Sequence, residues 1–195
     1  GVSSSSSIYT SSMSVKTAPC AFKITGWTFI GWGTSSGTTT VTYNANTSYT
    51  FLPSNTYSNS TSINLYAVWR QNTYTIIYNS NKPSAASSNV TGSTPNSSAT
   101  YDASVKLSTN GFSLVGWTFT GWATNSSGTG TIYSSGGTYS KPNFTATNGG
   151  TYTLYAVWRQ NTYTIVYAGN TPSNATYDVT GSTPNSSATY DASVK

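Results

Sequence analysis

GWTFTGW at Gly116–Trp122, followed by TYTLYAVW at Thr151–Trp158, decides how this chain folds. In the first stretch, alternation places Trp117 and Phe119 on one side and Thr118 and Thr120 on the other, the pattern of a half-buried strand. Gly121 then permits a bulge that swings Trp122 back toward the core. In the second stretch, Tyr152, Leu154, Ala156 and Trp158 share one face while Tyr155 and Val157 take the other. A strand apolar on both faces reads as a central one.

Both stretches have earlier counterparts. GWTFIGW lies at Gly26–Trp32 and LYAVW at Leu65–Trp69. WRQNTYTI occurs at Trp69–Ile76 and again at Trp158–Ile165, and GSTPNSSATYDASVK fills both Gly92–Lys106 and Gly181–Lys195. All of these matches recur at one spacing of about 90 residues, the mark of a tandem-repeat architecture. The spacing divides the chain into residues 1–70, a repeat lacking its first strand; 71–160, a complete repeat; and 161–195, the first two strands of another.

The complete repeat opens with TYTIIY (Thr73–Tyr78), whose alternation puts Tyr74, Ile76 and Tyr78 on one face. The Ser-, Asn- and Pro-rich stretch from Asn79 to Ser98 reads as a loop. ATYDASVKL (Ala99–Leu107) reads as one strand, with Tyr101, Ala103, Val105 and Leu107 on a face and an exposed Asp102–Lys106 pair opposite. Such a surface pair contributes only about 0–1 kcal/mol. GTIYSSGG (Gly130–Gly137) follows a Gly/Ser turn, and no segment shows a helical period.

Composition points the same way. Charged residues are 6% of the chain, against roughly 25% in an average soluble protein. Aromatics are 14%, with 16 Tyr and 6 Trp, enough to drive a core and far from the profile of a disordered segment. Enrichment in Tyr, Thr, Trp and Val favours strands. The net charge of +5 comes from singly scattered Lys and Arg, without the basic stripe that nucleic-acid binding requires. No apolar run reaches the ~18 residues needed to span a bilayer.

The chemistry of catalysis is missing from the side chains. There is no His, and Asp and Glu together number three, so neither a Ser-His-Asp triad nor a metal cluster can be assembled. Asp102 and Asp191 are one position in two copies and do not suggest a single site. Asp102 is the candidate acid for a Lys–Asn isopeptide crosslink in the complete repeat. The expectation is a non-enzyme without catalytic residues, cofactor or metal. Cys20 is the sole cysteine and excludes an internal disulfide. It reads as a small buried residue, with an intermolecular disulfide as the alternative. Sequons stand at Asn46, Asn59, Asn89, Asn96, Asn125, Asn143, Asn174 and Asn185, open to glycosylation but expected by accident in a chain so rich in Asn, Ser and Thr.

The order F-x3-G-W-x-F-x-G-W, a G-x-G turn, an aromatic, then L-Y-A-V-W resembles the Listeria–Bacteroides repeat, also called the internalin B-repeat. The complete copy carries it at Phe112, Gly116, Trp117, Phe119, Gly121, Trp122, Gly128, Gly130, Tyr133, Leu154, Tyr155, Ala156 and Trp158. The first copy carries Phe22, Gly26, Trp27, Phe29, Gly31, Trp32, Leu65, Tyr66, Ala67 and Trp69. The resemblance implies a mainly β fold of small β-grasp-like modules, an extracellular or cell-surface location on a bacterium, and a role as a stalk or adhesive spacer. This chain departs from the family in being nearly uncharged, which weakens the transfer of any charged ligand surface.

On this reading Trp27, Phe29, Trp32, Trp69, Trp117, Phe119, Trp122 and Trp158 form the signature core. The strand surplus at one end matches the strand deficit at the other. Residues 161–195, with Tyr163, Ile165 and Tyr167 on the pairing strand, are expected to complete the first repeat of another copy of the chain and so to build a homopolymeric filament. The alternatives are a window cut from a longer array, and an adhesin whose exposed aromatics bind glycans or other cell-surface components.

Overall fold

The computed structural model describes residues 13–51 and 63–191. The fold is mainly β, with no helix among the described residues and hence none long and apolar enough to cross a membrane. The sequon at Asn59 and the last copy of SVK, at Ser193–Lys195, lie outside the described residues.

The chain forms two compact units. The first comprises the described residues up to Tyr74 together with Thr100–Asp102 and Asn143–Gly150. The second comprises Thr75–Ala99, Ala103–Pro142 and the chain from Thr151 onward.

In the first unit Trp27–Gly33 pairs antiparallel with Tyr66–Gln71, and the register shifts between Phe29 and Gly31. That shift is the bulge, and it turns Trp32 inward. Met13–Lys16 pairs with Ser48–Phe51, and Trp32 bridges Tyr43.

The second unit repeats these elements. Trp117–Ala123 pairs antiparallel with Gly150–Gln160 around an equivalent bulge between Phe119 and Gly121. Trp122 pairs with Tyr133, and Val105–Lys106 pairs with Thr138–Tyr139. Here the sheet grows to five strands, ordered Ile132–Tyr133, Trp117–Ala123, Gly150–Gln160, Thr73–Asn79, Ser97–Thr100. The LYAVW strand is therefore central, as its two apolar faces require. Gly149 N–H donates to Thr73 O at one end, and the Trp158 indole donates to Ser80 O at the other. The two middle strands accordingly run parallel.

Alternation along Thr73–Asn79 buries Tyr74, Ile76 and Tyr78 together. The core of the second unit adds Ala86, Ala99, Val105, Leu107, Leu114, Trp122, Leu154 and Ala156. The Tyr78 hydroxyl is built into it, 2.8 Å from Ser97 Oγ and accepting from Ser108 N at 2.8 Å.

Ala99–Leu107 is not one strand. Ser97–Thr100 and Val105–Lys106 are separate, and the chain turns between them with Asp102 at φ 58°. Asp191 repeats the conformation at φ 61°. Asp tolerates this left-handed geometry better than most residues. The turn breaks the alternation, so Tyr101 and Ala103 leave the buried face of Val105 and Leu107. Asp102 turns to partners other than Lys106, described below. Cys20 is also not buried: it is half-exposed, with its thiol 3.7 Å from the Phe22 carbonyl.

Candidate functional site

The signature aromatics form the same cascade in both units. Phe29 meets Trp32 at 5.0 Å and Trp69 at 5.8 Å between ring centroids, edge to face. Phe119 meets Trp122 at 4.8 Å and Trp158 at 5.8 Å in the same manner. Phe22 lies 6.5 Å from Trp32, and Phe112 lies 6.1 Å from Trp122. Trp32 and Trp122 are buried; Trp27, Trp69, Trp117, Trp158, Phe29 and Phe119 are half-buried. The half-buried rings follow from geometry, because each lies on a strand before the bulge or on its partner opposite.

A second constellation joins residues far apart in sequence. In the first unit Asn72 N donates to Gly26 O at 2.8 Å, and Tyr101 N donates to Asn72 O at 2.9 Å. Thr28 Oγ1 donates to Asn72 Oδ1 at 2.5 Å, and Gln71 Nε2 donates to Tyr101 O at 2.9 Å. Gly26 has φ +75°, and a Cβ there would fall inside the Tyr101 ring. Only glycine leaves room for that ring.

The second unit makes the same clasp from the next copy of each residue. Asn161 N donates to Gly116 O at 2.9 Å, Tyr190 N to Asn161 O at 2.8 Å, and Thr118 Oγ1 to Asn161 Oδ1 at 2.6 Å. Gln160 Nε2 donates to Tyr190 O, and the Tyr190 ring fills the space over Gly116. In each unit, ATYD of one sequence copy is thus tied to the GW segment of the copy before it through WRQN, which spans the junction of the two copies. Sequence reading passed over this clasp. The available signal was the strict identity of polar letters, WRQN and ATYD, in both copies.

The aspartates of the clasp differ in partners. Asp102 accepts from the Trp27 indole at 3.1 Å and from Asn143 Nδ2 at 3.0 Å, while its own amide donates to Asn143 Oδ1 at 2.8 Å. Asp191 accepts from Ser87 Oγ at 2.5 Å and Ser87 N at 3.2 Å. These Ser87 bonds lead in holding the Asp191 carboxyl below the ordinary carboxylate range, with Trp117 and Lys82 assisting. Trp117 Nε1 is buried and lacks a partner within hydrogen-bonding distance, so its help is that of a nearby dipole.

A depressed folded-state pKa stabilises above the unfolded value of about 3.9 and is lost as pH falls through the folded pKa. Ser87→Ala is expected to raise the Asp191 pKa toward the ordinary value, read by NMR titration of its carboxyl carbon. An unmoved pKa would show that Ser87 does not hold the carboxylate.

Asp102→Ala removes the acceptor of the Trp27 indole. A loss of about 1–2 kcal/mol is expected, with a shift in Trp27 fluorescence. Equal stability and an unchanged spectrum would place that bond outside the fold's energetics.

Among the described residues no group of three or more His, Cys, Asp and Glu could hold a metal. The sequons separate by environment. Asn46, Asn89, Asn96, Asn174 and Asn185 are exposed, Asn125 is half-buried, and the amide of Asn143 is committed to Asp102. In glycosylated material, peptide mapping is expected to find Asn143 bare; a glycan on Asn143 would require the Asp102 contact to open.

The strands proposed for pairing lie at edges. Thr162–Ile165 pairs with Ser186–Thr189 in a two-stranded sheet. Tyr163 and Tyr167 are exposed and Ile165 half-buried. Tyr66–Gln71 likewise pairs with Trp27–Gly33 alone among the described residues. No family model, no curated protein and no solved structure matches this chain.

Proposed function

We propose that this chain is a structural repeat protein of an extracellular bacterial surface filament or stalk, built from β-grasp-like modules joined head to tail by strand complementation. One observation carries the reading. The five-stranded sheet of the second unit contains, side by side, the LYAVW strand and a TYTI…SSAT hairpin; elsewhere each of these occurs, among the described residues, as a two-stranded piece with an unpaired edge. An exposed strand edge is a template for pairing, and the second unit is the template for its product.

The clasp suits the same role, since hydrogen bonds between backbone groups of successive sequence copies resist extension of an array. The resemblance to Listeria–Bacteroides repeats agrees with it. Among the described residues no Trp ring is exposed, whereas an adhesin that stacks glycans on a row of Trp needs them bare. Electron microscopy of native material is the test. Thin unbranched filaments or cell-attached stalks containing this chain are expected. Dispersed globular particles would overturn the reading.

A further inference from the structure

We infer that this chain carries a donor face and an acceptor face for a second copy of itself, and that the second unit displays the joined product within a single molecule. The inference rests on the strand-complementation reading above and specifies its surfaces.

The acceptor face belongs to the first unit. Ile24 is 46% exposed, whereas Leu114, its equivalent in the second unit, is 4% exposed. Val15 is 42% exposed and its equivalent Val105 is 2%. Phe22 stands bare where Phe112 is half-buried. In the second unit these positions are covered by the Thr73–Thr100 hairpin region: the Tyr78 ring packs tilted against Trp122 at 4.6 Å, and Thr91–Gly92 pairs with Phe112–Ser113.

The donor face is the same hairpin one copy later. Tyr163 is 42% exposed against 3% for Tyr74, and Tyr167 is 49% exposed against 6% for Tyr78. Ala175 is exposed where Ala86 is buried. The donor is nevertheless preassembled. Its strands are in register from Thr162↔Thr189 to Ile165↔Ser186. The turn bond from Ala175 N to Pro172 O, 3.0 Å, copies that from Ala86 N to Pro83 O, 3.0 Å. Tyr167 Oη lies 3.2 Å from Ser186 Oγ, as Tyr78 Oη lies 2.8 Å from Ser97 Oγ.

The register follows from the second unit. The partner's Thr162–Ile165 strand adds to the open edge of Tyr66–Gln71. The Trp69 indole then donates to the carbonyl of the partner's Gly169, as Trp158 does to Ser80. Tyr167 of the partner packs against Trp32, as Tyr78 does against Trp122. One part of the template is not transferred. Ala21 stands at the position of Gly111, where a Cβ would run into the carbonyl of Ser93, so the short Thr91–Gly92 pairing has no counterpart between chains. The contact uses different faces on its two sides and therefore propagates from copy to copy, as an open filament unless its rotation closes a ring.

The test uses full-length chains with one face blocked. Ile24→Asp disables the acceptor and Tyr163→Asp the donor; both positions are exposed, so both chains are expected to fold, which circular dichroism checks. The wild-type chain is expected to form concentration-dependent polymers by sedimentation. Each variant alone is expected to self-associate at least about tenfold more weakly. An equimolar mixture of the two is expected to stop at a one-to-one dimer, since one good donor meets one good acceptor. Phe22→Ser with Tyr167→Ser should reproduce the result.

A mixture that stays monomeric overturns the assignment of faces, as do single variants that polymerise like wild type. In the latter case the filament reading stands on another interface. A wild-type chain that remains monomeric at all concentrations overturns the donor–acceptor contact, while imaging of native material still decides the filament reading independently.

Discussion

Trp122→Ala is expected to lower the stability of the second unit by about 3–5 kcal/mol, the cost of deleting a large aromatic from a packed core. The side chain is fully buried and touches three rings: Tyr78 at 4.6 Å, Phe119 at 4.8 Å and Phe112 at 6.1 Å. Its indole also donates to Ser108 O at 3.3 Å, so alanine leaves a cavity and leaves that carbonyl to Gly136 N–H alone. Trp32→Ala in the first unit should cost less. Trp32 keeps the equivalent bond, to Ala18 O at 3.0 Å, but retains some exposure, and the ring contacts described for it are with phenylalanines, not with a tyrosine packed as Tyr78 is against Trp122. Hydrogen exchange resolved by residue distinguishes the units where a single unfolding curve does not. A loss below about 1 kcal/mol at Trp122 would mean that the site collapses around the vacancy.

The second large effect is expected at the clasp. Gly26→Ala meets two penalties. The backbone at φ +75° costs an L-residue about 1–2 kcal/mol, and the new methyl occupies the Tyr101 ring position. Evicting the ring exposes the bonds from Asn72 to Gly26 and from Tyr101 to Asn72. Amide protection at Asn72 and Tyr101 is expected to fall on the order of a hundredfold. Gly37→Ala is the control. Its φ of +74° imposes nearly the same backbone cost, but nothing lies within 4 Å of the added Cβ. Equal effects at the two glycines would show that backbone conformation alone matters and that the Tyr101 notch carries no energy.

Much of this was legible in the letters. Alternation assigned Tyr74, Ile76 and Tyr78 to one buried face, and the glycine before the second Trp of GW-x-F-x-GW marked the bulge. The two apolar faces of TYTLYAVW placed that strand at the centre of its sheet. These readings succeed because side-chain direction along a strand depends on neighbours one and two residues away.

Other features were not legible. Tyr101 and Asp102 read as part of a continuous strand, but the chain turns there where Tyr101 is held by Gln71 and Asn72, 30 and 29 positions earlier, as Tyr190 is held by Gln160 and Asn161 at the equivalent turn. Cys20 read as buried and is half-exposed, as is Asn110 at the equivalent position of the second unit, because burial follows the place in the fold rather than the residue's own apolarity.

The sequence by itself determined the repeat, its strands and the faces on which the aromatics lie, since periodicity and copy number are properties of the chain alone. Only the tertiary structure decided which strand lies beside which, where the ATYD turn is gripped, and which copies of one and the same strand are left with a bare edge. Identical segments reach different ends, Tyr74 buried and Tyr163 exposed, because burial is set by a non-local partner. A segment carries no record of whether its partner is present.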